Sequence, residues 1–347
     1  MFNLKILIMK KFLFFVISVF TLCFFVACSN EDECGYYEKI SCSLNNENYD
    51  LLKKKVDSIS NYYLQNHALP QTRKGIVQYY AGKKVQSLAD DAGRVVGGCI
   101  GKNVGALIGG IGSPVGSILG CFIGNKAGRF IGSMTASYAA YLIVAEIFNR
   151  CNSSTYSTSN SAVLYYLPDS CSGFNDSIGY YHNFVMHELV RSGDKYVLEN
   201  GKINYNLIYD DCLKYLVRYG AFEGCKDELL VAYRPDFKHD VVSYVQTTSD
   251  LSRNYSEGRI SESTYQSRLI GSMDNYNLTD EERLAFSDYA VELAETCLQL
   301  SYEANVMYAD DLNHMISNSG VSEELKSELR STTNMVVNSS IFCQMVE

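Results

Sequence analysis

Residues 93–132 read GRVVGGCIGKNVGALIGGIGSPVGSILGCFIGNKAGRFIG. Glycine stands at 93, 97, 101, 105 and 109, and after a slip of three it returns at 112, 116, 120, 124, 128 and 132. Within a helix each glycine costs about 0.8–1.0 kcal/mol relative to alanine, so eleven cost on the order of 10 kcal/mol. Close approach of a second backbone recovers that cost, because a glycine stripe removes the side chains that keep helices apart. Every fourth residue turns about 400°, so the stripe drifts slowly around the helix, as in right-handed GxxxG crossings. The phase slip falls on Gly109-Gly110-Ile111-Gly112-Ser113-Pro114. Proline cannot continue a helix but starts one well. The stretch therefore predicts a helical hairpin, with one arm over about 83–109, a turn at 110–114 and a second arm over about 115–149. The expected packing residues are Gly97, Gly101, Gly105, Gly109, Gly112, Gly116, Gly120, Gly124 and Gly128.

The surroundings of this hairpin stay open at this level. The uncharged run from Asn103 to Asn125 has the length of one membrane span, but Gly112-Ser113-Pro114 breaks it at its centre. Each arm then keeps only about ten uncharged residues, short of a crossing. Lys102, Lys126 and Arg129 would lie at the hairpin mouth, where they could snorkel. Three settings fit: burial against the protein's own helices, insertion into a bilayer as in glycine-zipper lipoproteins, and a latent pore-forming segment like those of bacteriocin-like toxins. Dinucleotide binding does not fit, since no strand precedes the glycines and a phosphate loop does not run at period four for forty residues.

The N-terminus reads as an address. Lys5, Lys10 and Lys11 form a positive n-region, and residues 12–26 are apolar but short for a span. Met9 before Lys10-Lys11 offers a second start besides Met1. Phe25-Val26-Ala27-Cys28 resembles a bacterial lipobox, with Phe25 where leucine is usual. The resemblance implies cleavage before Cys28 and lipidation of that cysteine. Acyl chains bind membrane at about 0.8 kcal/mol per buried CH₂. Ser29-Asn30-Glu31-Asp32-Glu33 resembles the acidic export signal of surface lipoproteins in Bacteroidota, and the Asp-Ser-Ile triplets at 57–59 and 176–178 resemble that phylum's O-glycosylation sites. These resemblances imply an exported, outer-membrane, surface-exposed chain with membrane lipid as its first partner.

Of 347 residues, 30 are basic and 39 acidic. Residues 1–27 hold three lysines and no acid, so the mature chain keeps 27 basic residues against the same 39 acids. Such a balance without a basic patch excludes nucleic acid as a partner. Four prolines and 27 tyrosines mark a folded chain. Of twelve cysteines, ten remain beyond Cys28. In an exported chain, Cys34–Cys42, Cys151–Cys171 and Cys212–Cys225 are candidate short disulfide loops, the alternative being small buried thiols.

The fold expected is all-α: a signal segment over 1–27, a polar tether over 28–48, a helical region with the glycine hairpin over 49–150, a Ser/Thr/Asn-rich linker over 151–172 and a separate helical domain over 173–347. Apolar residues recur at three and four over 49–65 and 205–219. Thr279 with Glu282 forms a capping box, and either Ser261 or Ser263, and Ser322, stand where N-caps belong.

Chemistry is sparse. His182 and His187 lie five apart, about 140° around a helix, and so do not share a ligand. His187-Glu188 opens like a zincin motif, but Arg191 occupies the position of the second histidine. Asp90-Asp91, Asp210-Asp211 and Asp310-Asp311 read as solvated helix ends. No catalytic residue, metal site or cofactor is expected, with His182 and Asn183 as structural or ligand candidates. Ile178-Gly179-Tyr180-Tyr181-His182-Asn183 resembles a Gly-x-x-His-Asn element of uncharacterised Bacteroidota lipoproteins that also carry an upstream glycine-rich segment. This resemblance implies location and architecture and no activity. The expected role is a non-enzymatic structural or interaction role at the cell envelope, with no protein partner identified. The alternatives are a membrane-inserting, toxin-like protein and an enzyme or metal-binding protein built around His182.

Overall fold

The computed structural model describes residues 31–69, 76–110, 114–151, 162–168, 174–224 and 226–345. The fold is all-α, and among the described residues there is no strand. Helix α1 runs Glu31–His67, α2 Ile76–Gly110, α3 Pro114–Cys151 and α4 Phe174–Arg191. A short 3-10 turn, Gly193–Tyr196, precedes α5 (Tyr205–Arg218), α6 (Lys226–Ala232), α7 (Pro235–Ser256) and α8 (Glu262–Ser272). Then come α9 (Asp280–Leu284), a π-turn (Ala285–Ala290), α10 (Val291–Cys297), α11 (Tyr302–Ser317) and α12 (Glu323–Met345). Residues 31–48, expected as an irregular tether, are helical.

Contacts divide the chain into Met1–Leu51 and Leu52–Glu347. The separate domain expected over 173–347 is therefore not separate: it belongs to one compact unit with the hairpin. In that unit α12 packs on α4, α11 and α2, while α3 packs on α7, α6, α4 and α5. Most of the Ser/Thr/Asn run, residues 152–161, lies outside the described residues. The contacts that join the hairpin to the C-terminal helices come from residues far apart in sequence.

The hairpin arms are α2 and α3, antiparallel and in glycine register. A Cβ on Gly101 would land on the carbonyl oxygen of Gly124, and one on Gly124 on that of Gly101. The same reciprocal collision joins Gly97 to Gly128 and Gly93 to Gly132. A Cβ on Gly124 would also stand 3.1 Å from the amide nitrogen of Gly105. The backbones touch here, which explains the spacing of four. The packing of Gly109, Gly112, Gly116 and Gly120 lies outside the described residues.

Over residues 82–101 and 127–141 the arms are enclosed by protein. Val95, Val96, Phe130, Ile131 and Met134 are completely buried. Among the described residues no helix is long and apolar enough to cross a membrane. Helix α12 is buried on every side from Ser331 to Cys343, although half of those residues are polar. Three expected caps are present: Ser261 accepts from Thr264 N, Ser322 Oγ accepts from Leu325 N, and Thr279 and Glu282 form the capping box.

Candidate functional site

The Gly-x-x-His-Asn element lies in the middle of α4 and serves as a three-way junction. Gly179 lets α4 meet α12: a Cβ there would strike the carbonyl of Asn334. One turn later the fully buried His182 reaches both hairpin arms. Its Nε2 lies 3.0 Å from Ser137 Oγ on α3 and 3.2 Å from Asp90 Oδ2 on α2. Its Nδ1 lies 2.8 Å from Asn183 Oδ1. Asn183 then donates through Nδ2 to the carbonyl of Leu164 at 2.9 Å. Its amide nitrogen is thereby the donor, so its Oδ1 accepts from the imidazole and fixes the proton on Nδ1.

Serine, histidine and aspartate therefore meet, but not as a catalytic triad. In a triad the acid orients one ring nitrogen and the nucleophile faces the other. Here Ser137 and Asp90 share Nε2, and all three side chains are completely buried. Neither carboxylate oxygen of Asp90 has a partner of hydrogen-bond geometry among the described residues. The arrangement braces the hairpin against α4. His187 lies on another face of α4, and among the described residues no group of three His, Cys, Asp or Glu could hold a metal ion.

A second cluster joins the hairpin to the C-terminal helices. Arg94 Nε donates to Asp91 Oδ1 at 2.7 Å, its Nη1 to Glu328 Oε2 at 3.0 Å and its Nη2 to Thr332 Oγ1 at 2.9 Å. Arg129, on the other arm, donates to both oxygens of Glu328 at 2.8 and 2.6 Å and to Glu282 Oε1 at 3.0 Å. Lys102 donates to the same Glu282 oxygen at 2.7 Å. Glu282 Oε2 meanwhile accepts from Thr279 N, so one residue caps α9 and anchors the hairpin. Three cations face three carboxyls, all of them buried except Lys102, which is partly exposed. Burial alone would raise the Glu328 carboxyl, but Arg129 and Arg94 overcome it and hold it at about 2. At Asp91 burial prevails over Arg94, and that carboxyl lies above its ordinary value.

This corrects two expectations. Asp90-Asp91 is not a solvated helix end but fully buried. Lys102, Lys126 and Arg129 do not sit as snorkelling residues, since they pair with Glu282, Glu228 and Glu328. The sequence carried one hint: Asp91 and Arg94, three apart on a helix otherwise lined with glycine and valine, form a local ion pair. Nothing local points to Glu328.

The cysteines are thiols where described. Cys99, Cys121, Cys212, Cys297 and Cys343 are free. Cys212 is thus not half of a Cys212–Cys225 disulfide; it is a small apolar residue in the core, and burial raises its thiol pKa. Cys225 and Cys171 lie outside the described residues, as do the side chains of Cys34, Cys42 and Cys151 and the lipidation position Cys28.

One open cavity, of about 690 Å³, lies between the end of α3, the loop before α5 and α7. Asn200, Lys202, Tyr205, Gln246, Asp250 and the Glu146–Arg253 pair line it. With two cations against two acids it favours neither anionic nor cationic ligands. No known protein family, curated protein or solved structure matches the chain.

Proposed function

We propose that the chain is a lipid-anchored cell-envelope protein, held at the outer membrane through Cys28 and exposed at the surface, with a non-enzymatic structural or interaction role. The anchor reading rests on the basic n-region, the short apolar run and Phe25-Val26-Ala27-Cys28. The observation that carries the rest is the convergence of Arg94 and Arg129 on Glu328, which supports a hairpin closed against its own protein. In this reading lipid does the anchoring and the helical body does the work. Labelling with radioactive palmitate tests the anchor. The wild-type chain incorporates label and resists release by high salt, whereas Cys28→Ala takes up none. Equal labelling of the two chains would refute lipidation at this cysteine.

A second reading, insertion of the hairpin into a bilayer, draws on Leu107, which is 69% exposed near the end of α2 within the uncharged run. Leakage of dye-loaded liposomes that disappears in Gly105→Leu and Gly120→Leu would favour it. Absence of leakage from the unaltered chain would remove it.

A further inference from the structure

Residues 162–168 (AVLYYLP) run without helix or strand beside α4, α11 and α12, and their backbone is held by side chains. Tyr166 N donates to Asn338 Oδ1 at 2.8 Å, and Asn338 Nδ2 donates back to the Tyr166 carbonyl at 2.9 Å. A single amide side chain thus supplies the donor and the acceptor that a neighbouring strand would supply. Asn183 donates to the Leu164 carbonyl at 2.9 Å, and Tyr302 OH to the Tyr165 carbonyl at 3.3 Å. The clamp reads backbone and so places little demand on sequence.

One position is selective. The Tyr166 ring is 2% exposed, its hydroxyl donates to Asp310 Oδ1 at 2.8 Å, and that hydroxyl accepts from Asn313 Nδ2 at 2.9 Å. Its neighbours Leu164, Tyr165 and Leu167 stay about two-fifths exposed. Tyr165 rests edge-on against Tyr180, at 4.8 Å between ring centres, and meets the Phe184 ring at a tilt, at 5.6 Å. The segment is therefore held by main-chain bonds and one buried side chain, the pattern by which grooves bind extended peptides.

We propose that the groove formed by Asn183, Asn338, Tyr302, Asp310 and Asn313 is a binding site for an extended peptide with tyrosine at its anchor position. In the resting molecule the chain's own residues 162–168 occupy it. A partner's tyrosine-bearing segment enters when they leave. This deepens the interaction role proposed above by naming the class of partner. It is tested apart from the anchor, since peptide binding does not depend on acylation.

The probe is a fluorescein-labelled peptide of residues 161–170, SAVLYYLPDS, added to the full chain in detergent. Tyr166→Ser empties the tyrosine pocket without altering the groove residues, and this chain binds the peptide at least tenfold more tightly than wild type does. Changing the peptide residue that matches Tyr166 to serine abolishes the gain. Tyr166→Phe keeps the ring and removes only the hydroxyl bonds, so it is the variant to use if Tyr166→Ser loses helical circular dichroism. Its affinity falls between those of the other two chains. Equal peptide binding by wild-type and folded variant chains, or equal binding of the two peptides, overturns the proposal.

Discussion

Arg94 on α2 and Arg129 on α3 meet on one carboxylate, Glu328 of α12, with nitrogen-to-oxygen distances of 2.6 to 3.0 Å. Two guanidiniums on backbones in contact would repel each other if that carboxylate were absent. The glycine seam brings the arms together, and Glu328 makes the approach electrostatically tolerable.

Glu328→Gln removes the charge and keeps the shape. It leaves two buried cations short of a partner, and loss of one side of a buried pair costs roughly 3–5 kcal/mol. Urea unfolding at pH 7 is expected to show a midpoint lowered accordingly. The linkage runs the same way: the folded carboxyl is held at about 2, so its contribution is full above its unfolded value and is lost as pH falls toward 2. The wild-type and Glu328→Gln stability curves therefore converge in acid.

The glycine seam predicts opposite signs for one chemical change. Gly101→Ala gains helix propensity but drives a methyl group into the backbone of Gly124, and it is expected to destabilise by about 2 kcal/mol or more. Gly271→Ala in α8 meets nothing within 4 Å, and it is expected to be neutral or stabilising by up to about 1 kcal/mol. Thermal unfolding of the two variants side by side reads the difference.

A separate site is sensitive near neutral pH. Glu292 on α10 is raised to about 7 by burial first, then by its hydrogen bond to Asp57 of α1 and by the charges of Asp57 and Glu295, with Lys53 opposing. A folded carboxyl above its unfolded value adds stability at low pH that is lost as pH rises. The melting temperature is thus expected to fall between about pH 5 and pH 8. Glu292→Gln mimics the protonated form, and its melting temperature should fall less over the same range.

The histidine junction yields a further expectation. His182→Ala opens a cavity and removes the ring nitrogen bonded to Ser137 while leaving the Asn183 bond to Leu164 intact. A loss of about 3 kcal/mol is expected, at the lower end of large-to-small replacements of buried rings. Denaturant titration of the purified variant reads it.

The hairpin was legible because its determinants are local. A glycine every fourth residue and Pro114 at the phase slip place the turn and the second arm within a few residues of Gly110 and Pro114–Cys151, while the first arm starts at Ile76, earlier than the expected 83. What joins the hairpin to the rest was not legible. Glu328 lies 234 positions from Arg94, and its own helix reads as weakly amphipathic with serine, threonine and asparagine throughout. Such a helix looks solvated by pattern, yet it is buried because Asn334, Asn338 and Thr332 find partners on α11, α2 and the 162–168 segment. The Gly-x-x-His-Asn element stood out as a motif, but its meaning lies in contacts with α12, both hairpin arms and the 162–168 segment, none visible in the hexapeptide.

The central claim is that the glycine hairpin is folded against its own protein and that lipid alone holds the chain to the membrane. The direct test is partition of a chain that begins at position 28 and carries Cys28→Ala, mixed with liposomes and sedimented. The account predicts a monomer that stays in the supernatant with its helical content intact. A folded chain that pellets with the liposomes would contradict it.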